Sequence, residues 1–384
     1  MFVYICEMEN WNAQDLSAWH DLNHESELQG RYITLDHIRP LLESMPEGAR
    51  VTKEGASFQG RDIFRVRMGT GRKKVLIWTQ MHGNESTGTK AFFDLCHFLL
   101  KPGPWERNRD LILQELEIVC IPMLNPDGAQ LYTRTSAQEI DLNRDVLDQL
   151  APESRLLRAV LGHVDPVYCF NLHDQRTIFS VGSANNTATV SFLAPSEDLE
   201  RTVTEGRKKT MQVIISMNQL LQQLIPDRVG RYTDEFYPTA TGDNFQRMGH
   251  NTVLIESGHA SGDYSRRESR KYTFMALLQG LYHIASGDYS MDYRDYFAIP
   301  DNAKQYLDVI VKGVKVAGKT CDLGVLYREE LHDGKVEFRP GLDKIDDLCT
   351  YNADRILPGY NLDFSGKEDA EKWVENAITL NIVH

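Results

Sequence analysis

Four short, nearly unbroken apolar runs constrain this chain more than any other feature. They are Lys74 to Thr79 (KVLIWT), Leu116 to Met123 (LEIVCIPM), Pro166 to Leu172 (PVYCFNL) and Asn251 to Ile255 (NTVLI). Runs of this length suit strands buried on both faces. Between and around them lie helical periodicities: Ile33 to Glu43, Glu85 to Leu100, Glu153 to Leu161 and Asp198 to Leu224. Buried strands alternating with helices predict an α/β sheet covered on both faces. Asp62 to Met68 alternates polar and apolar residues, as a half-exposed strand does.

The 384 residues leave room for more than this one layer system. Residues 1–30 read as a polar leader with short helical pieces, and residues 31–290 as the main domain. After about Ser286 the texture changes: an aromatic stretch with Tyr289, Tyr293 and Tyr296 is followed by shorter strand-like runs and turn signals at Asp333-Gly334 and Pro340-Gly341. Residues 300–384 are expected to form a small C-terminal α+β accessory domain, with the three tyrosines at the seam.

A net charge of −13 argues against a nucleic-acid surface, which needs clustered Lys and Arg. No apolar run approaches the length of a membrane span. The opening residues MFVYICEMENW lack a basic start and a cleavage site, so a cytoplasmic location is expected. The six cysteines, Cys6, Cys96, Cys120, Cys169, Cys321 and Cys349, form no CxxC pair. A cysteine-built zinc site is therefore not expected, and a reducing compartment is the simpler setting.

The chemistry-bearing residues sit at strand ends. His82-Gly83-Asn84-Glu85 follows the first buried run, and His173 ends the third. Ligand sites in open α/β sheets lie beyond the carboxyl ends of strands. Two neutral imidazoles and one carboxylate, with a fourth position left to water, suit a catalytic zinc ion. Arg134 and Arg144 offer planar forks for a carboxylate or an oxyanion. Glu256 directly follows an apolar strand, where a charged residue needs a reason and a general base would be one.

Taken in order, these motifs resemble the zinc carboxypeptidase family, the carboxypeptidase A-like metallopeptidases. Gly55 to Ile63 (GASFQGRDI) is similar to the family's early GxSxxGRxI element; the HGNE, NPDG (Asn125 to Gly128) and DLNR (Asp141 to Arg144) elements, His173 and Glu256 follow. The resemblance spans about residues 48–285. It implies a mixed, mostly parallel sheet flanked by helices and one Zn²⁺ per chain held by His82, Glu85 and His173. It further implies Asp141 as the partner orienting His82, Arg134 polarising the scissile carbonyl, Asn143 and Arg144 gripping the substrate's terminal carboxylate, and Glu256 as general base. The family's active-site tyrosine falls some twenty residues before that glutamate; Tyr232 and Tyr237 are both in range, and Tyr237 is assigned to substrate binding. Asp174 departs from the small hydroxyl residue that digestive members carry after the third ligand.

The implied activity is a zinc metallocarboxypeptidase acting on a peptide with a free carboxylate. The alternatives are a zinc amidohydrolase deacylating N-acyl amino acids or trimming cell-wall peptides, and a catalytically silent binding module with the same fold.

Overall fold

A computed structural model describes residues 11–182 and 184–378. The opening residues that bear on a leader sequence, Cys6 among them, lie outside the described residues. No described helix is long and apolar enough to cross a membrane.

The chain runs through α1 (Ala13–Asn23), α2 (Leu35–Glu43), β1 (Ala49–Ala56), β2 (Asp62–Met68), β3 (Lys73–Thr79), α3 (Thr87–Leu100), α4 (Glu106–Glu115), β4 (Leu116–Ile121), α5 (Pro126–Leu131), α6 (Pro152–Val164) and β5 (Tyr168–Asp174). A small hairpin, β6 (Ser180–Val181) and β7 (Asn186–Thr187), precedes β8 (Val190–Leu193), α7 (Glu205–Leu221), β9 (Val229–Arg231), α8 (Thr241–Arg247), β10 (Asn251–Ser257) and α9 (Arg267–Ser286). The C-terminal part holds β11 (Tyr306–Val316), β12 (Lys319–His332), β13 (Lys335–Asp346), β14 (Asn352–Pro358), β15 (Asp363–Phe364) and α10 (Lys367–Ala377).

Eight strands form the main sheet in the order β1-β2-β4-β3-β5-β10-β8-β9. The four central strands, β4, β3, β5 and β10, are parallel neighbours; antiparallel pairs lie outside them, at β1-β2, β2-β4 and β10-β8. The centre coincides with the four apolar runs because a strand covered on both faces must be apolar on both. One side of the sheet is covered by α3, α7 and α9 in a core with Phe92, Phe170, Met217 and Phe274; the other is covered by α6 and holds Leu76, Trp78, Leu161 and Phe245. The mixed α/β architecture flanked by helices is as expected.

Residues 11–30, read from sequence as a leader with short helical pieces, hold α1 and are stapled to this core. Trp11, Ala13 and Leu16 are buried in it. Arg270 of α9 makes two contacts with the buried Asp94 of α3, at 2.6 and 2.7 Å, and donates to the carbonyls of Leu28 and Glu25. His20 Nε2 meets the same carboxylate at 2.9 Å. Helix α9 was not foreseen: Thr273 to Ala285 is buried almost all round, so it shows little amphipathic period.

The C-terminal domain is a separate sheet, β13-β12-β11-β14 with β15 beside β11, and α10 packs on it over Val311, Val325, Phe364 and Val374. Tyr289, Tyr293 and Tyr296 do not form its seam. Tyr296 is buried in the main core and accepts from Ala194 N at 3.1 Å, Tyr293 lies under Lys208 of α7, and Tyr289 meets Tyr168. The seam uses Tyr264, Tyr306 and Tyr327 instead.

Candidate metal centre and active site

The loop after β3 is built around close backbone packing. A Cβ on Gly83 would sit 1.9 Å from the carbonyl carbon of Gly128, so only glycine fits there. Asn125 caps α5 by accepting from Gly128 N at 2.8 Å and donates to the Met81 carbonyl at 3.2 Å. Asp127 is buried and accepts from Ser57 Oγ (2.7 Å), Gln59 N (2.9 Å) and Arg61 (2.7 Å). The NPDG turn and the early GASFQGR element therefore brace each other and the His82 loop; neither element's polar side chains reach the metal-ligating atoms.

On that platform His82 Nδ1 lies 2.9 Å from Glu85 Oε1, and His173 Nδ1 lies 2.8 Å from Glu85 Oε2. The two Nδ1 atoms are 3.2 Å apart. All three side chains are buried, and their ligand atoms lie within 4.8 Å of one another. Tetrahedral zinc with Zn–N bonds of ~2.0–2.1 Å holds its donors about 3.4 Å apart. The donor set and spacing fit that ion. Burial alone would raise the Glu85 carboxyl, but His82 and His173 outweigh it and hold Glu85 well below the usual carboxylate range.

Asp141 accepts contact from His82 Nε2 at 3.0 Å through one oxygen and from Arg134 Nε at 3.1 Å through the other. This fixes the ring so that Nδ1 faces the centre. Arg134 also reaches Glu85 Oε1 at 3.3 Å. Asn143 is held by Thr241 N, which donates to its Oδ1 at 3.2 Å. The Arg144 guanidinium lies 4.3 Å above the ring of Tyr237, which is half-exposed and whose backbone N–H is anchored by Asp243.

Glu256 and His173 are register partners in the parallel β5–β10 ladder, so the carboxylate is placed beside the His173 imidazole by backbone pairing. Burial first, then the charges of Glu85 and Asp174, raise the Glu256 carboxyl well above the usual range. Tyr232 also lines the pocket: burial, then the Glu256 charge, push its phenol up to about 12. All the expected site residues except Asp141 line a single pocket of about 890 Å³, and Asp141 supports it from behind His82.

Residues 34–207 match the zinc carboxypeptidase family. The resemblance carried by the motifs therefore holds, and the match includes the HGNE, NPDG and DLNR elements and His173 but stops before Glu256. Carboxypeptidase 2 of Trichophyton rubrum is 24% identical over 161 residues, 41% of this chain and 28% of that protein. The chain thus matches little more than a quarter of that relative's length. The fold is that of the metallo-carboxypeptidases. A metallo-carboxypeptidase from Burkholderia cenocepacia superposes with a TM-score of 0.53 at 18% identity, over 65% of this chain and 68% of the other. One from Pseudomonas aeruginosa, in complex with (2-guanidinoethylmercapto)succinic acid, gives 0.53 at 18% identity over 66% and 69%.

Two pocket residues, Arg31 and Arg266, are marked by no sequence motif. They share the pocket with Asp174, which takes a 2.7 Å hydrogen bond from Thr87. Arg31 precedes the motif-bearing region and Arg266 opens α9, so neither carries a local signature.

Proposed function

We propose that this chain is a zinc-dependent metallocarboxypeptidase that hydrolyses the C-terminal peptide bond of a substrate with a free carboxylate. The observation that carries the reading is the convergence in one pocket of the His82–Glu85–His173 donor set, the Glu256 carboxylate and the Arg144 guanidinium. His82, Glu85 and His173 would hold one Zn²⁺, which when bound supplies Lewis acidity and makes water a stronger acid.

The chain's own groups divide the remaining work. Asn143 and Arg144 receive the terminal carboxylate, for which the guanidinium offers a bidentate fork. Tyr237 keeps that guanidinium in place from below. Arg134, with its side chain about half exposed to the pocket, stabilises the negative charge that develops on the scissile oxygen. Glu256 takes the proton of the attacking water and returns it to the leaving amine. Its elevated carboxyl favours proton acceptance near neutral pH, since a base works best when its pKa approaches the working pH. The succinic acid derivative bound by the Pseudomonas aeruginosa structure bears carboxylates, which supports a carboxylate-reading site here.

The test is a mixed peptide library, each sequence present with a free and an amidated C-terminus, incubated with zinc-loaded protein and read by mass spectrometry. Single C-terminal residues should disappear from the free forms and persist in the amidated ones. Equal cleavage of both forms, or cleavage within the chains, would overturn the reading.

A further inference from the structure

Each strand that delivers a polar side chain to the pocket is followed by a contact with residues 301–378, made directly after β5 and β10 and relayed through Arg31 after β3. After β3, the residue next to Glu85 is Ser86, whose Oγ donates to the Arg31 carbonyl at 2.7 Å; the Arg31 guanidinium in turn grips Glu329 of β12 at 2.8 and 3.0 Å. Tyr132 donates to the same carboxylate. Following β5 and His173, Ser180 exchanges two backbone hydrogen bonds with Ala303, at 2.8 and 2.9 Å. Beyond β10 and Glu256, His259 meets Asp354 at 2.7 Å and Tyr264 donates to Asp308 at 2.8 Å. The C-terminal sheet is thus clasped over the carboxyl ends of the central strands, where substrate must approach.

The clasp places a wall in the cleft. Residues 326–329 of β12 and 341–343 of β13 line the same pocket as the metal-binding side chains. They are a poor candidate for a lid. Strand β12 is laddered to β13 from Asp322 to His332 and to β11 up to Val325, over a buried apolar cluster, and Tyr327 N is tied to Asp308 at 2.7 Å. Moving it would break those ladders together with the Glu329 and Asp354 contacts. On one flank the wall meets Arg31, which shares the pocket with Asp174 and Arg266, while the Arg144 clamp sits with Tyr237, Asp243 and Thr241 of a different segment. The pocket's volume of about 890 Å³ falls in the range of ~300–1,000 Å³ usual for sites that take one small ligand.

We infer that the C-terminal domain closes the cleft on the N-terminal side of the scissile bond, restricting the substrate to short peptides of a few residues. C-terminal tails of folded proteins and long unfolded chains are excluded because the wall occupies the path their preceding residues would take. Glu329 is the positioning residue of that wall: it touches Arg31 and Tyr132 and sets where β12 stands.

The inference rests on the carboxypeptidase reading, and two readouts separate their failures. The probe is a ladder of N-acetylated peptides that share their last two residues and lengthen from about two to about twelve. Binding is measured by calorimetry on zinc-loaded Glu256→Gln, and turnover on the wild type. Both affinity and kcat/KM should fall by roughly tenfold or more between the four-residue and the longest rung. Glu329→Ala, which loosens the clasp, should raise the long-to-short ratio of kcat/KM; an unfolded variant leaves the wild-type ladder to decide. Affinity that stays level or improves with length overturns the closed cleft, as does failure of every rung to bind. Affinity that falls with length, with no C-terminal residue released from any rung, upholds the closed cleft and overturns the carboxypeptidase reading.

Discussion

The Nδ1 atoms of His82 and His173 stand 3.2 Å apart, both pointing at the Glu85 carboxylate. Two ring nitrogens this close share a proton or a cation. With a cation as occupant, His173→Ala leaves two donors where a stable zinc site needs at least three. Purified wild-type protein should carry one zinc by elemental analysis, and the variant should carry far less while keeping its far-ultraviolet circular dichroism. A fully loaded variant would remove His173 from the donor set.

The brace beneath the metal loop can be probed without touching a ligand. Gly83→Ala drives a methyl group into the Gly128 backbone, 1.9 Å from its carbonyl carbon, so the loop carrying His82 must shift. Zinc affinity should drop by roughly tenfold or more, as losses of outer support around a metal usually do. Competition against a chromogenic chelator measures it, and an unchanged affinity would mean the two loops are not coupled.

Glu256 is half-buried, and its desolvation and the charges of Glu85 and Asp174 all favour its neutral form; bound zinc offsets part of this. As a base it acts only when ionised. Activity should therefore be lost as pH falls through its pKa, at a pH above the ordinary glutamate value of ~4.3. Glu256→Gln should retain zinc and lose hydrolysis at every pH. An acid limb that survives the substitution would assign it to another group.

Arg270 is the only described cation contacting the fully buried Asp94 through two hydrogen bonds. His20 and the Glu25 N–H still reach Asp94, so removing Arg270 leaves the buried charge only partly compensated, at a cost of up to about 3–5 kcal/mol. Arg270→Ala should lower the urea midpoint accordingly and loosen residues 11–30, whose carbonyls at Glu25 and Leu28 lose their donor. Protease cleavage within that segment would report the loosening.

Asp308 lies at the seam and is pushed up to about 6, chiefly by burial. Its folded form binds a proton more readily than its unfolded form does. Stability should consequently fall as pH rises from about 4 to about 6, the unfavourable term being complete above that range. Asp308→Asn should flatten this slope and raise the melting temperature at neutral pH, by an amount equivalent to roughly 1–3 kcal/mol. A lower melting temperature in the variant would show that Tyr264 and Tyr327 depend on the carboxylate.

Much of the site could be read from sequence because its residues sit at the ends of strands with an unmistakable apolar signature. The meeting of His82, Glu85, His173 and Glu256 follows from the expectation that strand ends meet on one side of a parallel sheet, while the roles expected of them come from the ordered family resemblance. The pairing of Asp127 with Ser57 and Arg61 was hidden because it joins loops almost seventy residues apart, and no local pattern records that contact. The place of β12 and β13 beside the metal site was hidden for the same reason, and so were the roles of Arg31 and Arg266. Tyr232 and Tyr237 were separable only by structure: the segment between β9 and α8 turns the first towards Glu256 and the second under Arg144.

The register partnership of Glu256 with His173 has an evolutionary corollary. Side chains on a strand alternate between faces, so one residue gained or lost inside β5 or β10 would send the carboxylate or the imidazole to the opposite face. Insertions in the connection between the two strands leave the pairing untouched. Loops around the pocket can therefore change in length at little cost to this pairing, while a change of length inside either strand would separate His173 from Glu256.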